Sequence, residues 1–139
     1  MRLQPATGVD VGITTRDPGP MVHFYGTFLG FELAREMKNA DVGSHVWFFR
    51  CGDSHIKVYS RTTVPEAANP PGGHTAATGY RYLAFHVESL DDALDGIEGS
   101  GGRLVVPPAV HGDVRVAFID DPEGNSIELI ERHEAAGAG

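Results

Sequence analysis

Residues 21–33, MVHFYGTFLGFEL, hold the pattern that decides the fold. Apolar side chains recur there at spacings of three and four, as on the buried face of a helix. They are Met21, Phe24, Tyr25, Phe28 and Leu29. Gly30 is placed to end this helix, because glycine readily adopts the left-handed conformation that closes a helix. A strand-like run over residues 31–37 follows, so the stretch predicts a helix, a cap and a strand in succession.

The runs on either side of this stretch complete a repeated pattern. In the first half, alternating or strongly apolar runs predict three more strands, over residues 9–14, 45–50 and 55–60. In the second half, the same rules predict a strand over 83–87, a helix over about 90–98 that Ser89 caps, and strands over 103–106, 113–119 and 126–132. Each half therefore reads β-α-β-β-β, and the landmarks recur at an offset of about 71 residues, as expected for a duplication.

The domain organisation follows from this duplication. A chain of 139 residues is the size of one domain, so we predict a single domain over 1–139 with modules over about 8–60 and 80–132. Residues 61–79 are rich in proline and glycine and are predicted to form a linker or a flap. One short sheet with one helix buries little apolar surface. The predicted fold class is therefore α+β, with two tandem βαβββ modules whose curved sheets pair around a cleft.

Composition excludes several classes of function. Hydrophobic residues make up 41% and charged residues 22%, as in soluble globular proteins, and no run of 18 apolar residues is present to span a membrane. The formal net charge of -8 opposes binding to a nucleic-acid backbone. The lone cysteine, Cys51, cannot form an intrachain disulfide, and the N-terminal residues lack an apolar run of signal-peptide length. We therefore expect a cytoplasmic protein whose partner is a small molecule.

Two stretches resemble the signatures of a known superfamily. Residues 24–33, FYGTFLGFEL, and residues 120–129, DDPEGNSIEL, are similar to those of the vicinal oxygen chelate superfamily. This group includes glyoxalase I, the bleomycin and fosfomycin resistance proteins, extradiol dioxygenases and methylmalonyl-CoA epimerase. The resemblance covers about residues 8–132 and implies paired βαβββ modules. It also implies a homodimer, because edge strands commonly pair across subunits in this group.

Strand parity selects the candidate site residues. Alternate residues of a strand share a face, so the side opposite each apolar face is predicted to line the cleft. Four strands place ionisable or phenolic groups on that side: Asp10, Lys57, Tyr82 and Glu128. Their same-face neighbours His55, Tyr59 and His86 are candidate substrate-binding residues. Trp47 and Phe49 lie in a strand with one core face, and either could form an apolar wall of the cleft or belong to the core.

The resemblance also bears on metal binding. Relatives that hold a divalent metal take ligands from these four strand positions, usually two histidines and one or two carboxylates or amides. Here Asp10 and Tyr82 replace the histidines, Lys57 replaces the fourth-strand ligand of the first module, and only Glu128 matches. An ammonium repels a dication, and a phenol is a weak ligand at neutral pH. We therefore expect no cofactor, and a divalent metal is disfavoured.

Three readings of this group remain open at the level of sequence. An enzyme of isomerase or lyase type would use Glu128 or Asp10 as the base beside a carbonyl, with Lys57 and Tyr82 stabilising the developing negative charge. Lys57 paired with one carboxylate would leave the other to move the proton. Alternatively, the protein is metal-free and binds drugs or metabolites, as the bleomycin resistance proteins do. The third possibility is a purely structural role, in which these residues form an ion pair that only stabilises the fold.

Overall fold

The computed structural model describes residues 1–4 and 8–132, and the chain divides into two compact units between Ala68 and Asn69. The first unit forms a four-stranded sheet in the order β1-β4-β3-β2, with β1 parallel to β4 and the other pairs antiparallel. Its elements are β1 Asp10–Thr14, α1 Pro18–His23, β2 Glu32–Asn39, β3 Ser44–Cys51 and β4 Ser54–Arg61. A π-helical turn, Phe24–Phe28, continues α1.

The second unit repeats this arrangement. Its sheet has the order β5-β8-β7-β6, with β5 parallel to β8 and the other pairs antiparallel. Its elements are β5 Tyr82–His86, α2 Leu90–Leu94, β6 Arg103–His111, β7 Val114–Asp120 and β8 Ser126–Arg132. The predicted pair of βαβββ modules is thus confirmed, while the assignment of both to a single domain stays a prediction.

The first helix forms as its apolar stripe predicts. Pro18 occupies its first turn, where a missing N–H costs nothing, and Met21, Phe24 and Tyr25 are buried. After His23 the backbone widens into the π-helical turn, in which the Leu29 N–H donates to the Phe24 carbonyl oxygen at 2.9 Å. Gly30 follows with a φ of 75°, the left-handed conformation expected of a helix cap.

Two predicted boundaries differ from the structure. Helix α2 ends at Leu94 rather than near residue 98, and Gly96 follows within two residues, where glycine disfavours a further helical turn. Strand β6 extends to His111 rather than ending at Val106, and it continues through two consecutive prolines, with its pairing shifted between Val106 and Ala109. Prolines are tolerated there because β6 is the edge of its sheet, so their missing N–H groups break few ladder bonds.

Each sheet has one face that packs against its helix and one helix-free face. On the helix-bearing face of the first sheet, the buried residues include Ile13, Ile56 and Val58, as the alternation predicted. Val9, expected on the same face, precedes β1 and is 70% exposed. In the second unit the corresponding buried residues are Ala117, Ile119, Ile127 and Leu129, and Leu90 of α2 is also buried. The opposite face of each sheet carries the polar side chains that the sequence singled out.

In each unit, an arginine side chain holds the part of the proline- and glycine-rich segment that belongs to that unit. Residues 62–81 form no helix or strand. In the first unit, the Arg16 guanidinium donates to the Pro65 carbonyl oxygen at 3.1 Å. In the second unit, the Arg81 guanidinium donates to the Gly73 carbonyl oxygen at 2.8 Å. Among the described residues, no helix is long and apolar enough to cross a membrane.

Candidate functional site

In the first unit, Asp10, His55 and Lys57 meet on the helix-free face. The parallel pairing of β1 and β4 places Asp10 directly beside His55 and brings Gly12 beside Lys57. Asp10 Oδ1 lies 3.2 Å from His55 Nδ1 and also accepts the His55 backbone N–H at 3.2 Å. Its other oxygen, Oδ2, lies 3.7 Å from Lys57 Nζ. The structure thus pairs Lys57 with Asp10, one of the two carboxylates that the sequence offered it.

This pairing lowers the pKa of Asp10. The hydrogen bond from the His55 side chain lowers the pKa of the Asp10 carboxyl below its ordinary value of 3.8 and, together with the positive charge of Lys57, outweighs the opposing effect of desolvation. A carboxylate held so firmly in its ionised form is a poor proton acceptor.

Phe48, which was not among the candidates predicted from the sequence, lies beside this group on the same face. It is paired in register with Lys57, whose Nζ lies 5.3 Å from the centre of the Phe48 ring. The Arg35 guanidinium carbon lies 4.2 Å from the same centre, and the His55 ring packs edge-on at 6.3 Å. Tyr59, also predicted to line the site, occupies the same face beside Thr14. The first sheet thus presents a ring bordered by cationic groups.

The second unit presents aromatic groups on its helix-free face. The His74 ring, from the proline- and glycine-rich segment, stacks on Phe118 with a centroid distance of 4.5 Å and an interplanar angle of 10°. Tyr82 packs edge-on against both rings, at 5.6 Å from His74 and 6.1 Å from Phe118. The structure thus gives His74 two aromatic neighbours, Phe118 and Tyr82.

Glu128 lies next to this aromatic group. It is paired in register with Ala84 on one side and Phe118 on the other, and it is half-buried. Within the described residues of the second unit, its carboxylate has no hydrogen-bond or ion-pair partner. His86, paired with Ile130 at the end of β5, is exposed on the same face. Glu128 is therefore the candidate carboxylate whose charge is not already paired within its unit.

Phe48 and Phe118 occupy corresponding positions in the two modules. Each lies opposite the fourth-strand candidate of its own sheet, Lys57 for Phe48 and Glu128 for Phe118. The internal duplication was the signal that could have identified them. When the sequences of the two modules are aligned so that Lys57 matches Glu128, the register of the third strands makes Phe48 and Phe118 equivalent positions.

Trp47 and Phe49 point to the helix-bearing face of the first sheet. Phe49 is 1% exposed, and its ring packs against Tyr25 at a centroid distance of 6.4 Å. A Cβ added at Gly26 would lie only 3.1 Å from the Phe49 ring, so the two segments are in close contact. Trp47 stacks on His45 at 3.5 Å on this same face. Of the two roles that the sequence left open, Phe49 takes the core position, because strand alternation turns it away from Asp10.

The side chains at the four candidate positions do not suit a divalent metal. Among the described residues, no three His, Cys, Asp or Glu side chains form a group that could hold such an ion. Asp10 directs one oxygen to an ammonium and the other to an imidazole, so a dication would have to displace both partners. Lys57 itself would repel that ion. The charge of Lys57 and the engaged oxygens of Asp10 make this part of the first sheet unsuitable for a divalent metal.

Comparison with known proteins agrees with this architecture. The family model described as the glyoxalase/bleomycin resistance protein/dioxygenase superfamily matches residues 9–129. Lactoylglutathione lyase of Escherichia coli O157:H7 is 27% identical over 116 residues, covering 82% of this chain and 84% of that protein.

Solved structures show the same fold. A glyoxalase family protein from Bacillus cereus superposes with a TM-score of 0.78 at 20% identity, covering 96% of this chain and 98% of that one. Glyoxalase I from Zea mays superposes with a TM-score of 0.73 at 20% identity, covering 91% of this chain and 44% of that one. With the match of the family model, which spans most of the chain, these observations establish that the protein belongs to the glyoxalase/bleomycin resistance protein/dioxygenase superfamily.

Proposed function

We propose that this protein is a glyoxalase-like lyase or isomerase that moves a proton beside the carbonyl group of a small molecule. The lactoylglutathione lyase of Escherichia coli O157:H7 shares 27% identity over most of both chains, which supports the lyase class. The ionisable groups on the helix-free faces of the two sheets supply the side chains that such a reaction needs.

The pairing of Asp10 with His55 and Lys57 is the observation that carries the assignment of roles. Because this contact lowers the pKa of Asp10, the carboxylate better suited to accept a proton is Glu128. In the proposed step, Glu128 removes a proton from the carbon next to the carbonyl, and the electron pair of that bond moves to the carbonyl oxygen. In an α-hydroxy carbonyl compound, the proton then returns to the former carbonyl carbon while the proton of the α-hydroxyl group moves to the enolate oxygen, so that the hydroxyl carbon becomes the new carbonyl and the isomerisation is complete.

The remaining candidates stabilise charge. Tyr82 and Lys57 are the proposed electrophilic groups, since a phenol O–H and an ammonium both donate hydrogen bonds to a developing oxyanion. Asp10 holds Lys57 in place through their ion pair. His55, Tyr59 and His86 are proposed to contact the substrate. This chemistry is carried by the chain's own side chains, and no step is assigned to a metal whose donors the sequence has replaced.

A second function is favoured by a specific feature of the second unit. The rings of His74, Tyr82 and Phe118 pack together, and Phe118 is paired in register with Glu128. Aromatic faces together with one negative charge suit a cationic aromatic compound, through stacking and cation–π contact. The alternative is therefore a binding protein of the bleomycin resistance type, which needs no base.

Solvent exchange separates these two functions. The purified chain is incubated in D2O with lactoylglutathione and a panel of small α-hydroxycarbonyl compounds, and proton NMR follows loss of the signal beside the carbonyl. We expect Glu128→Gln to slow the exchange by about 10²–10⁴-fold, as for loss of a general base. Glu88→Gln is the matched control, because Glu88 is exposed and lies outside the strands.

Each alternative has its own outcome. Exchange that persists in Glu128→Gln would remove Glu128 from the base role. Ligand binding without exchange in the unmodified chain would establish the binding protein instead. A stoichiometric divalent metal in the purified chain, together with loss of exchange on chelation, would contradict the metal-free mechanism.

A further inference from the structure

We propose that Arg35 and Lys57 form an anion site on the helix-free face of the first sheet, and that the ligand bound there carries a carboxylate. The inference deepens the proposed function by naming the substrate class, and it rests on that function for the reaction that follows binding. The binding itself is measured independently of turnover.

Three adjacent strands create the site. Arg35 of β2 is paired in register with Phe48 of β3, which is paired with Lys57 of β4. A cation, a ring and a second cation therefore stand in a row across the sheet. The Arg35 guanidinium carbon lies 4.2 Å and Lys57 Nζ lies 5.3 Å from the ring centre, and Phe48 is only 6% exposed. The ring gives both cations a fixed apolar support.

This face is positively charged on an otherwise acidic chain. By strand register, its charged residues are four cations and two carboxylates: Arg35, Arg50, Lys57, Arg61, Asp10 and Glu32. Both carboxylates are already engaged, Glu32 with Arg50 at 3.6 Å and Asp10 with Lys57 at 3.7 Å. Within the described part of the chain, Arg35 has no carboxylate partner. The excess positive charge contrasts with the net charge of -8 of the whole chain.

The chemistry of these groups selects a carboxylate. A guanidinium stacked on a ring keeps its N–H edge available, and that edge matches the two oxygens of a carboxylate. Asp10 neutralises much of the charge of Lys57, so the site offers little more than one unbalanced positive charge. A monoanion fits this balance better than the dianionic form of a phosphate. The Lys57 ammonium retains donors for an oxygen next to the carboxylate, such as that of a 2-oxo acid.

Titration of the full chain with pyruvate tests the proposal. Binding is followed by two-dimensional NMR of the labelled protein, with pyruvamide as the neutral analogue and inorganic phosphate as a competing anion. We expect Arg35→Gln to weaken pyruvate binding at least tenfold. Arg35→Lys keeps the charge but loses the planar fork, so an intermediate affinity is expected. Arg50→Gln, which changes a paired arginine on the same face, is the matched control and should bind within twofold of the unmodified chain.

The result is decisive in either direction. Binding that is unchanged in Arg35→Gln, equal affinity for pyruvamide, or tighter binding of phosphate than of pyruvate would overturn the assignment. Loss of binding in Arg35→Gln with an unchanged thermal unfolding midpoint would support it, because the variant is then folded. Failure of the proposed function is distinguishable: a chain that binds pyruvate normally but exchanges no proton retains the anion site and lacks the reaction.

Discussion

Replacement of Phe49 by alanine tests whether the aromatic residues of the third strands serve the core or the site. Phe49 is 1% exposed and packs against Tyr25 and Gly26 on the helix-bearing face. Burial of a phenylalanine side chain contributes about 1.5–3 kcal/mol by transfer from water alone. The cavity left behind adds to this loss, so Phe49→Ala should lower the free energy of unfolding by about 3–5 kcal/mol.

Phe118→Ala is the matched substitution on a helix-free face. Phe118 is half-buried and contacts His74 and Tyr82 rather than the helix of its unit. We expect a loss of about 1–2 kcal/mol, in proportion to its smaller burial. Denaturant unfolding measures both values. For a chain of this size, the Phe49→Ala loss corresponds to a decrease in the thermal midpoint of roughly 12–20 °C.

The comparison refutes the reasoning if the order of the two losses is reversed. A Phe49→Ala loss of about 1 kcal/mol or less would also show that this ring lies outside the packed core. In that case the assignment of faces from strand register would be wrong for β3. Phe49 would then be a candidate for the apolar wall of the cleft, as the sequence allowed.

Three further predictions concern polar groups. The folded protein lowers the pKa of Asp10, so its contacts contribute stability that is fully present above pH 3.8 and is lost as the pH falls through the lower folded value. The stability difference between the unmodified chain and Asp10→Asn, followed by denaturant unfolding, should therefore shrink as the pH is lowered below 3.8. Asp121 is buried and accepts hydrogen bonds from the backbone and side chain of Asn125, so Asp121→Ala should destabilise the second unit by about 2–3 kcal/mol in urea unfolding. Glu131 accepts the Leu90 backbone N–H at 2.7 Å at the start of α2, and hydrogen exchange of that amide should be faster in Glu131→Ala; an unchanged exchange rate would contradict this contact.

The fold could be predicted from the sequence because its information is local and repeated. The apolar stripe from Met21 to Leu29 specifies a helix, and Gly30 specifies its end. The same order of elements then recurs in the second half. The predicted ends of strands differ from the structure where the position of the strand in its sheet decides them. The two prolines after Val106 would end an interior strand, yet β6 continues through them because it lies at a sheet edge.

The candidate residues were selected by strand parity, which the sequence alone determines, since neighbouring side chains in a strand must point to opposite faces. Which of those groups contact each other depends on strand order and register. The parallel pairing of β1 with β4 brought Asp10 to His55 and Lys57, and the placement of β3 between β2 and β4 put Phe48 between two cations. Asp10 is more than forty residues from both His55 and Lys57 in the chain, and no local pattern encodes such a distance. The sequence thus determined which side chains were available on each face, whereas tertiary structure decided their partners and, through those partners, the lowered pKa of Asp10.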